Sequence, residues 1–325
     1  MIKKKTIYTY RNPFIRSAYK SNAENFTSKF GIRARRLINR PFRALLRLVT
    51  CGKVVLEKYP KLPKDEVYIF AAAHSFTDDV IAALTHIDRS MYVLNGSKHQ
   101  IEYNPGMLAL ALYGHAYVDR SNKESRKESV KKLERILNSG SSVYLYPEGS
   151  WNNSENLIIL PLFAGPWVLA QSTGCKVVPV AAFNETGTRK IYIRVGDPID
   201  IAGTDKDYGL RLLRDAIATE MYMMMEKHST KLRRKEMIIE DARLQFLEER
   251  KHVYIDGAIW CEDVWDEEIT MYKDKRYPIP SDVRETYKKI KLTARNAKWL
   301  VPILKQIEED EKYDFKRYMH QNWDR

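Results

Sequence analysis

Cysteine is scarce in this chain. Three of 325 residues are cysteine, Cys51, Cys175 and Cys261, far apart and without a CxxC pair. That excludes a disulfide framework and a cysteine-based zinc site, and it suits a reducing cytosol. Long apolar runs are missing too. No stretch approaches the ~20 residues that span a bilayer, so no transmembrane helix is expected. Lys3, Lys4 and Lys5 stand near the start with no apolar segment behind them, which is not the pattern of a secretory signal peptide. Neither a GxSxG serine elbow nor an HExxH zinc motif occurs, which removes two common hydrolytic chemistries. Internal repeats and low-complexity segments are also absent.

Acid is nearly missing from one end. Residues 1–50 hold 13 Lys and Arg against the single acid Glu24, a balance of +12, whereas 51–230 balance to zero and 231–325 to +1. The chain's net +13 therefore resides in an N-terminal arm, which calls for an anionic partner surface. Residues 30–49 read as an amphipathic helix. Arg33, Arg36, Arg40, Arg43 and Arg47 recur at spacings of three and four, and Phe30, Ala34, Leu37, Ile38, Phe42, Leu45 and Val49 fall opposite. Pro41 is expected to kink this helix or to start a second one. The pattern fits a membrane interface, with apolar side chains inserted and arginines on lipid phosphates. A helix packed on the main domain with a solvated arginine face is the alternative. Nucleic acid is not expected, because no reader module or base-stacking platform follows the arm.

From about 65 to 200, strand and helix patterns alternate. Strands are expected over 67–73, 91–94, 115–118, 143–146, 177–183 and 190–195, and helices over 79–86, 105–113, 121–137 and 165–172. A helix over 208–227 follows, and its Met221, Met223, Met224 and Met225 suit core filling or an acyl groove. Alternation of this kind defines an α/β domain: a central mixed sheet flanked by helices. The expected organisation is basic amphipathic docking helices over 1–60, the α/β domain over 61–230, and a charge-balanced helical extension over 231–325.

Four ordered blocks carry candidate chemistry. The first is Ala73-His74-Ser75-Phe76-Thr77-Asp78-Asp79, where an apolar strand hands an imidazole to a loop and a helix begins with a carboxylate. Asp79 can then accept one ring N–H and leave the other nitrogen as a general base. The second runs from Gly114 to Arg120, a strand ending in an arginine. The third is Tyr146-Pro147-Glu148-Gly149-Ser150, and the fourth Val178-Pro179. Residues at strand exits of an α/β sheet share one edge, where sites gather. Each block also has a plain structural reading: a capping loop, a surface arginine, a turn, and for Pro179 an edge-strand marker.

Taken together and in this order, the blocks resemble the lysophospholipid acyltransferase family, which includes the acylglycerol-phosphate acyltransferases. The resemblance covers about residues 60–200 and implies the glycerolphosphate-acyltransferase-like fold. It also implies roles. His74 would be the general base on an acceptor hydroxyl, and Asp79 would orient it. Arg120 would hold an anionic group, and Gly114, Glu148, Gly149 and Ser150 would shape the acceptor site. The donor would be acyl-CoA or an acyl carrier protein, acting as co-substrate with no further cofactor and no metal. A lysolipid or other hydroxyl acceptor, and the cytoplasmic side of an anionic membrane, would be the other partners. The chain departs from the family at Ala73, where asparagine is usual. It departs again at Ser150 and Trp151, where Thr-Arg is common, and at Phe163 and Ala164, where lysine is expected before glycine. These changes make the expected acceptor pocket less selective for phosphate. A hydrolase or transacylase, a glycan O-acyltransferase, and a non-catalytic lipid-binding adaptor remain open alternatives.

Overall fold

Seven strands form one mixed sheet in the order β1-β7-β6-β2-β5-β3-β4. In this computed structural model the described residues are 22–49, 53–75, 79–96, 113–118, 122–149, 152, 157–184, 188, 190–228 and 281–311. The strands are β1 (Lys53–Lys58), β2 (Ile69–Ala72), β3 (Met91–Asn95), β4 (His115–Tyr117), β5 (Ser142–Leu145), β6 (Val177–Asn184) and β7 (Lys190–Val195). The helices are α1 (Lys29–Val49), α2 (Asp79–His86), α3 (Lys123–Asn138), α4 (Gly165–Thr173), α5 (Lys206–His228), α6 (Ser281–Lys288) and α7 (Ala297–Glu311). The five strands β2 to β6 run parallel; β7 is antiparallel to β6, and β1 is parallel to β7.

Both faces of the sheet are covered, which is why its central strands are almost wholly apolar rather than alternating. On one face Phe70, Ala72, Tyr144, Val178 and Val180 pack against Ala82, Ala83 and Leu84 of α2. On the other, Ile69, Ala71, Val143, Leu145 and Val177 pack against Leu133 and Ile136 of α3 and Leu213 and Ile217 of α5. Met221 and Met224 belong to this second core, as the filling role requires. Local chemistry sets the helix ends. The Asn122 side chain accepts the Glu124 and Ser125 N–H groups at the start of α3.

Three expectations change. The 1–60 segment is not helical throughout: Lys53–Lys58 is β1, paired with β7 from Lys53↔Lys190 to Lys58↔Arg194. The alternating charges of Lys53, Glu57 and Lys58 belong to an edge strand, where polar side chains are tolerated. Pro41 neither ends nor splits α1, which runs unbroken over 21 residues with the proline on its exposed side. There water can take over the missing hydrogen bond. Pro179 is not an edge marker, because β6 lies between β2 and β7. Its absent N–H costs the ladders nothing: the β6–β7 register starts one residue later, at Val180↔Val195. A Cβ on Gly196 would sit 2.6 Å from the Pro179 ring, so the crossing admits only glycine. The helix expected over 105–113 and residues 231–280 of the extension lie outside the described residues.

The amphipathic helix α1 is mounted in an unexpected sense. Several of its arginines turn inward onto backbone carbonyls: Arg43 to Ile87 at 2.8 Å, Arg47 to Thr85 at 2.7 Å, and Arg36 to Gly140. Asn39 is buried and donates to the Tyr113 carbonyl at 3.0 Å. These partners precede β3, β4 and β5 or close α2, so α1 crosses the amino-terminal edge of the sheet. Four of its apolar residues point the other way, whereas Ile32 and Phe42 pack into the domain. Phe30 is 81% exposed and Leu37 74%, with Ile38 and Leu45 also open to solvent.

Candidate active site

The chemistry gathers at the opposite, carboxyl-terminal edge, where β2 and β5 end. Parallel strands release their chains there, and α2 begins with Asp79 in its first turn, where a carboxylate is favoured by the helix dipole. Asp79 is fully buried and heavily bonded, as a buried carboxylate must be. Its Oδ2 accepts the Ser75 N–H at 2.8 Å and lies 3.0 Å from His74 Nδ1. Its Oδ1 accepts the Tyr146 hydroxyl at 2.7 Å. An ionised carboxylate only accepts, so Nδ1 carries the hydrogen and Nε2 is the basic nitrogen. The His74 side chain remains 19% exposed.

The backbone of His74 is held from both sides. Glu148 Oε1 accepts its N–H at 3.0 Å, and the Asn152 N–H donates to its carbonyl at 3.1 Å. Glu148 is itself buried, and its second oxygen accepts the Leu160 N–H at 2.7 Å. The Asn152 amide donates to the Leu157 and Ile158 carbonyls at 2.9 and 2.8 Å. One carboxylate and one amide therefore tie the imidazole-bearing loop to the segment that follows β5. Gly149 makes this possible: its φ of +73 closes a turn in which its N–H reaches the Tyr146 carbonyl at 3.0 Å.

The Tyr146 ring lies flat on the His74 imidazole, centroids 3.9 Å apart and planes 17° from parallel. Tyr144 meets Tyr146 edge-on at 5.4 Å. Burial, followed by the Asp79 charge, pushes the Tyr146 hydroxyl well above its usual value of 10, so it stays a protonated donor at neutral pH.

The sequence-derived candidates thus divide. His74, Asp79, Glu148 and Gly149 converge at one strand edge. Glu148 differs from expectation: both of its oxygens are engaged by backbone amides, so it shapes the site by holding His74 and Leu160 in place. Gly114 does not converge. It stands at the amino-terminal end of β4 with φ +127, and a Cβ there would meet Arg35 and Tyr92 at 3.1 and 3.2 Å. It is a packing glycine beneath α1, not part of an acceptor pocket. Arg120 and Ser150, with Trp151, lie outside the described residues. Tyr146 and Asn152 are additions. Tyr146 was visible as the residue before Pro-Glu-Gly, but a tyrosine at the end of an apolar strand reads as core; Asn152 gave no signal. Among the described residues no group of three or more His, Cys, Asp or Glu could hold a metal ion.

A histidine–aspartate pair at the exit of a central strand of a mixed α/β sheet is suited to general-base chemistry. Compared with known families, residues 53–182 match the model of the Acyltransferase family. It is 28% identical over 119 residues to a 1-acyl-sn-glycerol-3-phosphate acyltransferase of Saccharomyces cerevisiae, a stretch covering 36% of this chain and 39% of that protein. The match therefore spans about two-fifths of the curated relative's length. Among solved structures, the 1-acyl-sn-glycerophosphate (LPA) acyltransferase PlsC from Thermotoga maritima aligns with 68% of this chain and 89% of its own. Its TM-score is 0.45 at 16% identity.

Proposed function

We propose that the chain transfers a fatty acyl group from an acyl thioester, carried by coenzyme A or an acyl carrier protein, to a hydroxyl of a lysophospholipid-like acceptor. The observation that carries this reading is the His74 imidazole, bonded through Nδ1 to a buried carboxylate and pinned by Glu148 and Asn152. His74 Nε2 takes the hydroxyl proton as the oxygen attacks the thioester carbonyl. The tetrahedral intermediate expels the thiolate, which recovers the proton from the imidazolium, and ester and thiol leave. Asp79 stabilises the imidazolium by a charge-assisted hydrogen bond worth about 1.5–3 kcal/mol. A positioned base of this kind supplies roughly 10²–10⁴ in rate. The similarity to an acylglycerol-phosphate acyltransferase supports the acceptor class.

The exposed stripe of α1 supports a second part of the reading, docking on an anionic lipid surface. Phe30, Leu37, Ile38 and Leu45 are open to solvent, Arg33 and Arg40 flank them, and the first 50 residues carry +12. Both substrates bring acyl chains, so a peripheral enzyme on the cytoplasmic leaflet meets them where they reside.

The test is product analysis by mass spectrometry, offering oleoyl-CoA with a panel of lysolipids and glycans. Native protein is expected to convert lysophosphatidate or a close lysolipid to the diacyl product, and His74→Ala to form none while binding vesicles as before. Equal turnover by His74→Ala would remove the imidazole from the mechanism. Free fatty acid as the main product would make the protein a hydrolase.

A further inference from the structure

We propose that Tyr146 is a positioning residue for this chemistry: its ring fixes the plane of the His74 imidazole, and its hydroxyl occupies the Asp79 oxygen that His74 does not use. The proposal rests on reading His74 as the base, but its geometry stands by itself. Asp79 divides its two oxygens. Oδ2 serves the Ser75 N–H and His74 Nδ1, while Oδ1 serves Tyr146 at 2.7 Å. A carboxylate gripped at both oxygens cannot rotate about its χ2 axis, so the direction of its bond to Nδ1 is set. The stacked ring, 3.9 Å away and 17° off parallel, blocks rotation of the imidazole itself. One residue thereby restrains both members of the pair. Tyr144 braces it from behind through an edge-on ring contact at 5.4 Å.

The hydroxyl also has an electrostatic effect with a definite sign. A donor on Oδ1 draws charge from the carboxylate, which then stabilises the imidazolium less. The titratable groups that meet the His74 side chain or backbone are Asp79 from α2, and Tyr146 and Glu148 from the segment after β5; Tyr144 of β5 acts through Tyr146. Tyr146 is not itself a nucleophile or acid in the reaction, because its phenol is held far above neutral pH by burial and the neighbouring carboxylate.

Tyr146→Phe keeps the stack and deletes the hydroxyl. With oleoyl-CoA and 1-oleoyl lysophosphatidate, kcat is expected to fall about tenfold, as a slightly misplaced base requires, with KM changed less than twofold. The acid limb of the kcat/KM profile should move up by about half a pH unit, because the imidazolium is now better stabilised. A purely structural tyrosine would not move that limb. Installing 3-fluorotyrosine at 146 preserves the fold and strengthens the donor, so the limb should move down; this variant carries the test should Tyr146→Phe fold poorly. The His74 ring proton followed by NMR should titrate with the same two shifts, with no substrate present. Native-like titration of both variants would overturn the proposal even if His74→Ala is inactive. Shifts of opposite sign in an enzyme whose His74→Ala variant still turns over would uphold the positioning and sink the catalytic reading.

Discussion

Glu148 shows how an acidic residue of a short sequence block can serve a site through backbone amides. Its two oxygens accept the N–H groups of His74 and Leu160, and the side chain is 3% exposed. Glu148→Gln replaces one acceptor by an NH₂ that must face a backbone donor, leaving a buried N–H unpaired at a cost of about 1–3 kcal/mol. Denaturant unfolding should show that loss. The kcat should fall at least tenfold even at temperatures where the variant is fully folded, since His74 loses a backbone anchor. A variant with native kcat and lowered stability would leave Glu148 as scaffold alone. At this scale the sequence is legible where chemistry is local. A histidine and an aspartate five apart, separated by a loop and a helix start, define their own bond. Tyr146 is not legible, because its partners stand 67 and 72 positions away and only the β2–β5 pairing brings them together. Gly114 misled for a related reason: it precedes β4, which starts at His115, and so lies at the amino-terminal edge of the sheet, away from His74.

Among the elements, α1 separates what periodicity tells from what it leaves open. Spacing identifies the helix and its two faces, and the helix extends from Lys29 to Val49 as expected. It does not say which face meets the protein. Here carbonyls at the sheet edge and the end of α2 take the arginines, because each guanidinium can satisfy acceptors that an apolar side chain would leave bare. The inward arginines therefore answer for stability, and the outward apolar residues for the proposed docking. Arg43 donates to the Ile87 carbonyl and pairs with Asp88 at 2.6 Å, so Arg43→Ala should lower unfolding stability by about 1–3 kcal/mol. Leu37→Glu with Ile38→Glu should leave stability native. Binding to phosphatidylglycerol vesicles should drop at least tenfold, since each buried aliphatic side chain contributes about 1.5–3 kcal/mol of transfer free energy. Vesicle sedimentation and thermal unfolding, run on both variants, check the division. An Arg43→Ala protein that binds poorly yet unfolds normally would contradict it. The strand β1 escaped the same reading because a six-residue edge strand with three charges gives no periodic signal to detect.

For the molecule as a whole, the question is how the C-terminal helices are held on the α/β domain. One contact is an ion pair: Arg214 of α5, whose helix packs on β6, forks onto Asp282 of α6 through two hydrogen bonds of 3.1 and 2.7 Å. α6 in turn pairs with α7 through Lys288 and Glu311. The Arg214 hydrogen bond, followed by its charge, holds the Asp282 carboxyl below its ordinary value. A carboxylate depressed on docking contributes stability that is whole above the undocked value near 4, and that fades as pH falls through the lower docked value. The pair joins a side chain rooted in the core to one on the first turn of a short helix, so protonation should release α6 before it disturbs the sheet. Hydrogen exchange is expected to quicken across 281–288 below about pH 4 while β2 and β6 stay protected. Asp282→Asn should reproduce that release at neutral pH, with an exchange rate in α6 raised about tenfold, the equivalent of ~1.4 kcal/mol. Unchanged protection in that variant would mean that apolar contacts of α7, where Leu300 and Ile307 are buried, hold the extension without the ion pair.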